Sequence, residues 1–249
     1  MSTNGFHSAL ITGGSRGIGA EVARRLAHDG YHLTIAARDP DRLAETARRL
    51  QDETCVTVET VVAAMNDLDQ VRALAQAHAN RYGGMDVLVL SAGSGTAGAV
   101  ADMPAKTYER MLDVNFRAPI TLIQAALPLL RKSAAAHPQH GAKIIALASI
   151  TGVAGEAGLA AYGATKAALI SLCEAVSLEE SANGVSATAI SPGYVDTDMT
   201  AWKREALDRS AMLTTSDIAE MALAITRLSR NAVVPNIVVS RAGEQIWRA

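Results

Sequence analysis

The chain has 249 residues, a length that suits one large domain or two small ones. Hydrophobic residues make up 49% and charged residues 19%, so a substantial core can be buried, and with only 4% aromatic residues that core must consist of Ala, Val, Leu and Ile. A net charge of −2 gives no reason to expect a nucleic acid or an anionic membrane as a partner.

Cysteine usage and the N-terminus point to an intracellular protein. Cys55 and Cys173 are too few for a disulfide framework, and no His or Cys spacing typical of a metal site is present. The N-terminus lacks a basic stretch followed by an apolar export segment, and no run of about 18 apolar residues occurs. We therefore expect a cytoplasmic protein without a bound metal or a membrane anchor.

Short apolar runs alternate with helical periodicity along the chain. Strands are predicted at residues 7–12, 32–36, 56–62, 87–91, 143–149, 186–190 and 237–239. Helices are predicted at residues 17–29, 40–51, 68–82, 106–133, 160–181 and 216–228, with a kink at Pro128. The alternation predicts an α/β fold: one domain over residues 1–249, with a Rossmann-like, doubly wound parallel sheet of about seven strands and helices on both faces. Residues 194–214 break the pattern, and we expect them to cover a substrate.

A glycine-rich turn joins the first strand to the first helix. Glycines let the backbone approach a pyrophosphate, and the start of the helix offers free N–H groups and a positive dipole end. Strand, turn and helix follow in the order that a dinucleotide site requires. The residues predicted to bind the cofactor here are Gly13, Ser15, Arg16, Gly17, Ile18 and Gly19.

The end of the second strand predicts which nicotinamide cofactor is used. An acidic side chain there would bind the ribose hydroxyls of NAD, but this chain has Arg38. Arg16 and Arg38 together could hold a 2′-phosphate, since a guanidinium matches phosphate geometry, and Arg42 is a third candidate. Each arginine alone could equally be a solvated surface charge, whereas the combination favours NADP(H).

Three further side chains suggest chemistry on a carbonyl group. Tyr162 and Lys166 lie four residues apart on one predicted helix, and Ser149 ends a strand. A phenol has a pKa near 10, and a close ammonium lowers such a pKa by about 1–3 units. Each residue alone would be unremarkable, as a packing Tyr, a solvated Lys or a turn Ser. Together with the glycine turn they predict a nicotinamide-dependent carbonyl reductase.

As a set, these motifs resemble the short-chain dehydrogenase/reductase family, in its compact branch of about this length. The resemblance covers nearly the whole chain. It rests on the glycine turn, on the trio just described, and on Ser91, Ala92, Gly93, Asn115 and the stretch 192–197.

The resemblance implies a role for each residue of the site. Tyr162 would be the general acid for reduction and the base for oxidation, Lys166 would lower its pKa and bind the nicotinamide ribose, and Ser149 would orient the carbonyl. Asn115 would hold a water that links Lys166 to solvent. Further cofactor contacts would come from Asn66, Ser91, Ala92, Gly93, Tyr162, Lys166, Pro192, Gly193, Val195 and Thr197. The resemblance therefore implies an NADP(H)-dependent oxidoreductase that interconverts a ketone or aldehyde and an alcohol. It also implies a homodimer or homotetramer that assembles through the helices at 106–133 and 160–181.

Two departures from the family pattern concern the cofactor. Ser91 stands where the family commonly has Asn. Ala64 stands where an acidic residue often faces the adenine, so adenine contacts are expected to shift to Met65, Asn66 or backbone. These departures affect cofactor affinity more than the chemistry.

The substrate is open between several alternatives. A 3-oxoacyl-(acyl-carrier-protein) reductase needs a basic docking surface, whereas the predicted helix at 160–181 ends with Glu179 and Glu180, which would repel an acidic carrier. Arg131 and Lys132, on another helix, could still receive one. A non-catalytic NADP-binding regulatory protein would usually have lost the Tyr or the Lys, and a sugar-nucleotide epimerase or dehydratase usually has a further C-terminal domain. Apolar residues in the covering segment either line a partly apolar substrate pocket or pack; they are Met199, Trp202, Leu207, Met212 and Leu213.

Overall fold

The computed structural model describes residues 7–243, which form one seven-stranded parallel sheet with helices on both faces. The strands are β1 (Ser8–Thr12), β2 (His32–Ala37), β3 (Val58–Val62), β4 (Val87–Leu90), β5 (Ala142–Leu147), β6 (Val185–Pro192) and β7 (Asn236–Val239). The α-helices are α1 (Gly17–His28), α2 (Pro40–Glu53), α3 (Leu68–Tyr82), α4 (Ala105–Leu112), α5 (Ala118–Ala136), α6 (Ala160–Glu180) and α7 (Thr215–Thr226). The predicted Rossmann-like, doubly wound fold is confirmed.

The central strands are buried throughout because both of their faces are covered. Every residue of β1, β4, β5 and β6 is buried. Side chains alternate between two cores: Leu10 and Leu88 lie in the core under α3, α5 and α6, whereas Ile11 and Val89 lie in the core under α1, α2 and α7. The two cores fix the strand register, since a slip by one residue would exchange them.

The strand order, β3-β2-β1-β4-β5-β6-β7, determines where a ligand can bind. All neighbouring strands are parallel, so their carboxyl ends lie along one side of the sheet, called here the carboxyl edge, and their amino ends along the amino edge. The order reverses between β1 and β4, and a crevice opens outside the carboxyl ends of strands at such a point. The loops that follow β1, β4, β5 and β6 therefore converge there.

One predicted helix is wrong in detail. The sequence predicts a single helix over residues 106–133, but the structure has α4 and α5 joined by a π-helical segment, Asp113–Arg117. A π-helical segment keeps the chain helical without a loop between α4 and α5, so no turn or breaker residue in the sequence marks the boundary. The segment turns Asn115 inward, where it is 1% exposed. Pro128 lies inside α5, and its kink stays a prediction.

The segment 194–214 is tied down at both ends. Val195 forms a β-bridge with Leu213, and the Asp196 carboxylate accepts hydrogen bonds from Arg204 and Arg209. Two 3₁₀ turns, Asp198–Lys203 and Arg209–Ala211, make up its middle. Across the described range, no helix combines the length and apolarity needed to cross a membrane.

Candidate active site

The turn after β1 has a backbone that only glycine supports. Gly17 has φ of +56°, and a Cβ atom on Gly19 would lie 2.3 Å from the Gly13 carbonyl oxygen. α1 starts directly at this turn, with no side-chain cap and no acidic residue in its first turn. The N–H groups and positive end of the helix are thus available for an anion, so the residues present fit the pyrophosphate of a dinucleotide.

Thr12 ties this turn to the loop after β4. Its hydroxyl oxygen accepts hydrogen bonds from the backbone N–H groups of Ser91 (3.1 Å) and Ala92 (3.2 Å). Ser91 also contacts the turn, since a Cβ atom on Gly19 would lie 2.9 Å from Ser91 Oγ. The serine that replaces the family's usual amide therefore packs against the glycine turn. Thr12 was missed as a site residue, although a hydroxyl at the end of the first strand was visible in the sequence.

Beside these loops a small apolar hollow lies between the sheet and α5. It is lined by Thr12, Met65, Leu90, Ala92, Val114, Ala118, Pro119 and Leu122. Met65 is 8% exposed, whereas Asn66 is exposed to solvent. Of the two residues to which the sequence shifts the adenine contacts, Met65 is the one that lines a hollow.

Positive charge gathers beside the glycine turn. Arg16 Nη1 donates a hydrogen bond to Asp198 Oδ2 (2.9 Å), and Arg42 Nη1 lies 3.9 Å from the same oxygen. Arg38 is exposed and makes no hydrogen bond or ion pair to any part of the chain that the structure describes. Two guanidinium groups thus already converge on one anionic oxygen, and a third is free. Asp198 was missed by the sequence analysis because no motif marks it.

Ser149, Tyr162 and Lys166 meet at the carboxyl edge. Ser149 follows β5, and its Oγ accepts hydrogen bonds from the backbone N–H (3.2 Å) and hydroxyl (2.9 Å) of Thr151, so its own proton can be donated to the Tyr162 oxygen or to a ligand. Lys166 Nζ lies 5.6 Å from the centre of the Tyr162 ring and donates to the Leu147 carbonyl oxygen at 2.6 Å. A Cβ atom on Gly95 would lie 3.2 Å from that ring, so the loop after β4 packs on the phenol.

The pKa of the phenol departs from the sequence expectation. Burial raises the pKa of Tyr162 to about 12, although a hydrogen bond with Ser149 acts in the opposite direction. Burial also lowers the pKa of Lys166 to about 8. Burial thus acts on the Tyr162 pKa in the direction opposite to the expected effect of Lys166, whose ammonium points to the Leu147 carbonyl oxygen, and the lowering of that pKa by Lys166 stays a prediction. The phenol is held protonated at neutral pH, as an acid must be.

Asn115 joins two parts of the site. Its Oδ1 accepts from Ser94 N (2.8 Å), and its Nδ2 donates to Ser94 O (2.8 Å) and to Thr165 Oγ1 (3.0 Å). The side chain therefore fixes the loop after β4 relative to α6, which carries Tyr162 and Lys166. Its expected part in a proton path stays a prediction. The inward turn of the π-helical segment, which the sequence does not reveal, makes these bonds possible.

The segment 194–214 lies across both halves of the site. A Cβ atom on Gly17 would lie 3.5 Å from Thr197 Cγ2, and one on Gly93 would lie 3.6 Å from Met199 Cε and 3.7 Å from Lys166 Nζ. The predicted cofactor residues at the end of β6 lead into the segment, and Gly193 N donates to Val239 O. The apolar side chains of the segment 194–214 have two kinds of surroundings: Met212 and Leu213 pack with the core, whereas Met199 and Trp202 are exposed to solvent. A substrate contact by Met199 or Trp202 stays a prediction.

Next to the trio lies an acidic group that the sequence analysis missed. Tyr194 Oη donates to Glu156 Oε1 (2.9 Å), and Lys203 Nζ lies 3.9 Å from that oxygen and 4.9 Å from the centre of the Tyr194 ring. Glu156 Oε2 is buried and has no hydrogen-bond partner among residues 7–243. Burial raises the pKa of Tyr194, with a small contribution from nearby Tyr162. A buried oxygen without a donor is costly unless a ligand supplies one.

Comparisons with known proteins agree with this geometry. The short chain dehydrogenase family profile matches residues 7–208. A relative from Staphylococcus saprophyticus, named an uncharacterized oxidoreductase, is 36% identical over 219 residues, covering 86% of this chain and 88% of the relative. Another, from Staphylococcus aureus, is 32% identical over 231 residues, covering 93% and 95%.

Solved structures of similar proteins contain nicotinamide cofactors. An alcohol dehydrogenase from the archaeon Thermococcus sibiricus, complexed with 5-hydroxy-NADP, has a TM-score of 0.86 at 26% identity, over 95% of this chain and 97% of that one. Actinorhodin polyketide ketoreductase with NADPH has a TM-score of 0.85 at 26% identity, over 96% of both chains. The family match, the fold and the assembled Ser149, Tyr162 and Lys166 lead to one conclusion: the chain is an oxidoreductase of the short-chain dehydrogenase/reductase family.

Proposed function

We propose that the protein is an NADP(H)-dependent reductase that interconverts a ketone or aldehyde and an alcohol. The observation that carries the proposal is the placement of the Tyr162 phenol beside Ser149 and Lys166 at the carboxyl edge, where the glycine turn also lies. An acid in that place has the protonation state that carbonyl reduction needs at neutral pH.

Each side chain then has a definite task. The nicotinamide, when bound, supplies the hydride that converts the carbonyl carbon to an alkoxide carbon. Ser149 donates its free hydroxyl proton in a hydrogen bond to the substrate oxygen, and Tyr162 transfers its phenolic proton to that oxygen, so the products are an alcohol and a phenolate. Lys166 stabilises the phenolate, and because its own pKa is about 8 it can also return a proton to Tyr162.

NADP(H) is the proposed cofactor because the end of β2 and the glycine turn carry arginines and no carboxylate at the usual ribose position. Arg38 is unpaired within the described chain, and Arg16 and Arg42 reach the same Asp198 oxygen, so a 2′-phosphate would meet up to three guanidinium groups. The NADP and NADPH complexes among similar structures support the same choice.

The substrate is proposed to be a free carbonyl compound with a hydrogen-bond donor near the reacting carbon. Within the described part of the chain, Glu156 Oε2 is a buried acceptor without a donor. Tyr194 connects it to the neighbourhood of Tyr162, and a hydroxyl or amine of the substrate would satisfy it. Met199 and Trp202 offer apolar contact on the other side.

A carrier-bound acyl substrate is less well supported. Arg131 donates to the Glu180 carboxylate, and Lys132 Nζ donates to Gly83 O at 2.7 Å. Gly83 lies ahead of β4, so these two cations belong to the amino edge, away from Tyr162. An acidic carrier docked on them would lie at the edge of the sheet opposite to Tyr162.

The regulatory alternative loses support because Tyr162 and Lys166 are both present, with Lys166 Nζ 5.6 Å from the centre of the Tyr162 ring. We further infer a homo-oligomer in which α5 and α6 supply the interface; Leu178, on α6, is 85% exposed. Light scattering during size-exclusion chromatography would test this. The cytoplasmic location stays a prediction from the sequence.

The experiment is a panel of ketones, aldehydes and their hydroxylated analogues, assayed with NADPH and NADH side by side. We expect consumption of NADPH in preference to NADH, with the fastest turnover for carbonyl compounds that carry a nearby hydroxyl or amine. Tight NADPH binding without turnover of any carbonyl compound, and with wild-type behaviour of Tyr162→Phe in every assay, would support the regulatory alternative instead.

A further inference from the structure

The amino edge of the sheet holds a cluster of two imidazoles and a carboxylate, the His7–Asp86–His137 cluster. His7 precedes β1, Asp86 precedes β4, and His137 follows α5 and precedes β5. His137 Nδ1 lies 2.8 Å and His7 Nδ1 3.2 Å from the same oxygen, Asp86 Oδ1. One ligand atom from each residue lies within 4.8 Å of the other two.

These separations approach those within a metal coordination sphere. Zinc binds nitrogen and oxygen ligands at about 2.0–2.1 Å in a tetrahedron, so adjacent ligand atoms lie about 3.3 Å apart. The two nitrogen–oxygen separations of 2.8 and 3.2 Å are close to that value. Small side-chain rotations would therefore bring all three atoms around one ion without moving the sheet.

We propose that His7, Asp86 and His137 form a binding site for a divalent transition metal of the zinc class. Two imidazoles and one carboxylate suit Zn²⁺, Co²⁺, Ni²⁺ or Cu²⁺, and do not suit the all-oxygen preference of Mg²⁺ or Ca²⁺. The His7 and His137 side chains are 41% and 30% exposed, so the ion has an entry path and room for a water as fourth ligand.

The carboxylate is already oriented for this task. Asp86 is 7% exposed at its side chain, and its second oxygen, Oδ2, accepts a hydrogen bond from Ser8 N at 2.8 Å. Such an outer hydrogen bond fixes a ligating carboxylate and leaves the other oxygen for the metal. Tyr31 flanks the His7 ring at 5.3 Å between ring centres and offers no competing charge at neutral pH.

The site would act on stability and not on the carbonyl chemistry. Its ligands come from positions separated by 79 and 51 residues, so an ion would cross-link the starts of β1 and β4 to the end of α5. Tyr162 and the glycine turn lie at the opposite edge. The wide spacing also explains why the sequence pattern predicts no metal.

The test uses the full-length protein after treatment with a chelator. ZnCl₂ is titrated against a chromophoric chelator of known affinity, and the thermal midpoint is measured with and without zinc. We expect one zinc per chain, and a rise in thermal midpoint of about 5–10 °C at free zinc about 100 times the dissociation constant. Carbonyl reductase activity should not change.

The variants His7→Asn and His137→Asn, singly and together, should abolish both zinc binding and the zinc-dependent rise in thermal midpoint. The control is His140→Asn, an exposed histidine near the cluster, which should behave as wild type. Circular dichroism verifies that each variant is folded. Equal zinc binding by wild type and double variant, or no stoichiometric binding by wild type, would overturn the proposal and leave the cluster as a hydrogen-bonded network only. Neither outcome would affect the proposed reductase function, which the carbonyl assay tests separately.

Discussion

Polar and titratable side chains lie at both the carboxyl edge and the amino edge of the sheet, but their hydrogen bonding differs between the two edges. At the amino edge, His78 is fully buried and bonded on both ring nitrogens, to Thr34 Oγ1 (2.8 Å) and to Ser8 Oγ (3.3 Å) and Gly84 O (3.0 Å). At the carboxyl edge, α1 begins without a side-chain cap, and Arg38 and Glu156 Oε2 lack partners within the described residues. A buried group such as His78, whose bonds are all made within the chain, stabilises the fold, whereas the groups without partners at the carboxyl edge identify where the cofactor and substrate are proposed to bind.

The largest expected effect is at the carboxyl edge. Tyr162→Phe removes the acid while keeping the ring that packs on the loop after β4, so kcat for carbonyl reduction should fall by about 10²–10⁴-fold. The dissociation constant for NADPH, measured by fluorescence titration, should stay within about twofold of wild type because the glycine turn is untouched. Tyr108→Phe, on the exposed side of α4, is the matched control and should retain full activity. Turnover within a few fold of wild type would remove Tyr162 from the chemistry.

At the amino edge, the buried His78 predicts that the free energy of unfolding decreases in acid. Burial lowers the pKa of His78 to about 4, against 6.5 when unfolded. Because the pKa of His78 is lower in the folded state than in the unfolded state, the stability that neutral His78 contributes is fully present above pH 6.5. It is lost as the pH falls towards 4. It amounts to about 3 kcal/mol in the free energy of unfolding.

Urea denaturation at several pH values, in the presence of a chelator, measures this effect. His78→Gln should be less stable at neutral pH and should flatten the decline between pH 6.5 and 4, whereas the exposed control His140→Gln should keep it. A decline of unchanged size in His78→Gln would assign the acid sensitivity to other groups.

The next largest effect is expected on the choice between NADPH and NADH. Replacing Arg38 by Asp puts a carboxylate where a 2′-phosphate is proposed to bind, so the dissociation constant for NADPH should rise about 10–100-fold, the size of one or two charge-assisted hydrogen bonds. The dissociation constant for NADH should change less than about threefold. Arg48→Asp, an exposed position on α2, controls for the change in net charge. Equal losses for the two cofactors would mean that Arg38 does not read the 2′-phosphate.

The smallest effect concerns Asp198, which is 66% exposed and pairs with Arg16 and Arg42. If its carboxylate competes with a 2′-phosphate for these guanidinium groups, Asp198→Asn should tighten NADPH binding by up to about fivefold and leave NADH binding unchanged. Isothermal titration calorimetry with both cofactors distinguishes this from a general effect on the covering segment, which would change both affinities together.

Local patterns in the sequence were enough to predict the fold and the trio. Alternating apolar runs predicted the parallel sheet, and the spacing of Tyr162 and Lys166 needs only one turn of helix to bring them together. Ser149 was predictable because strand ends in a parallel sheet share one edge.

Features that depend on tertiary contacts were not predictable. The π-helical segment contains no turn signal, so the inward turn of Asn115 was not visible in the sequence. The direction of the Tyr162 pKa shift depends on burial, which spacing does not report. Glu156 and Asp198 have no motif, and their roles arise from where the loops after β5 and β6 pass.

The most direct test of the central claim, that the Tyr162 phenol exchanges a proton with the substrate oxygen, is the pH dependence of alcohol oxidation. With the pKa of Tyr162 near 12, the rate of hydride transfer in a single turnover should rise steadily from neutral to alkaline pH, as the phenolate fraction increases. In Tyr162→Phe the residual rate should be independent of pH over the same range. An equal rise with pH in the variant would show that another group takes the proton and would contradict the account.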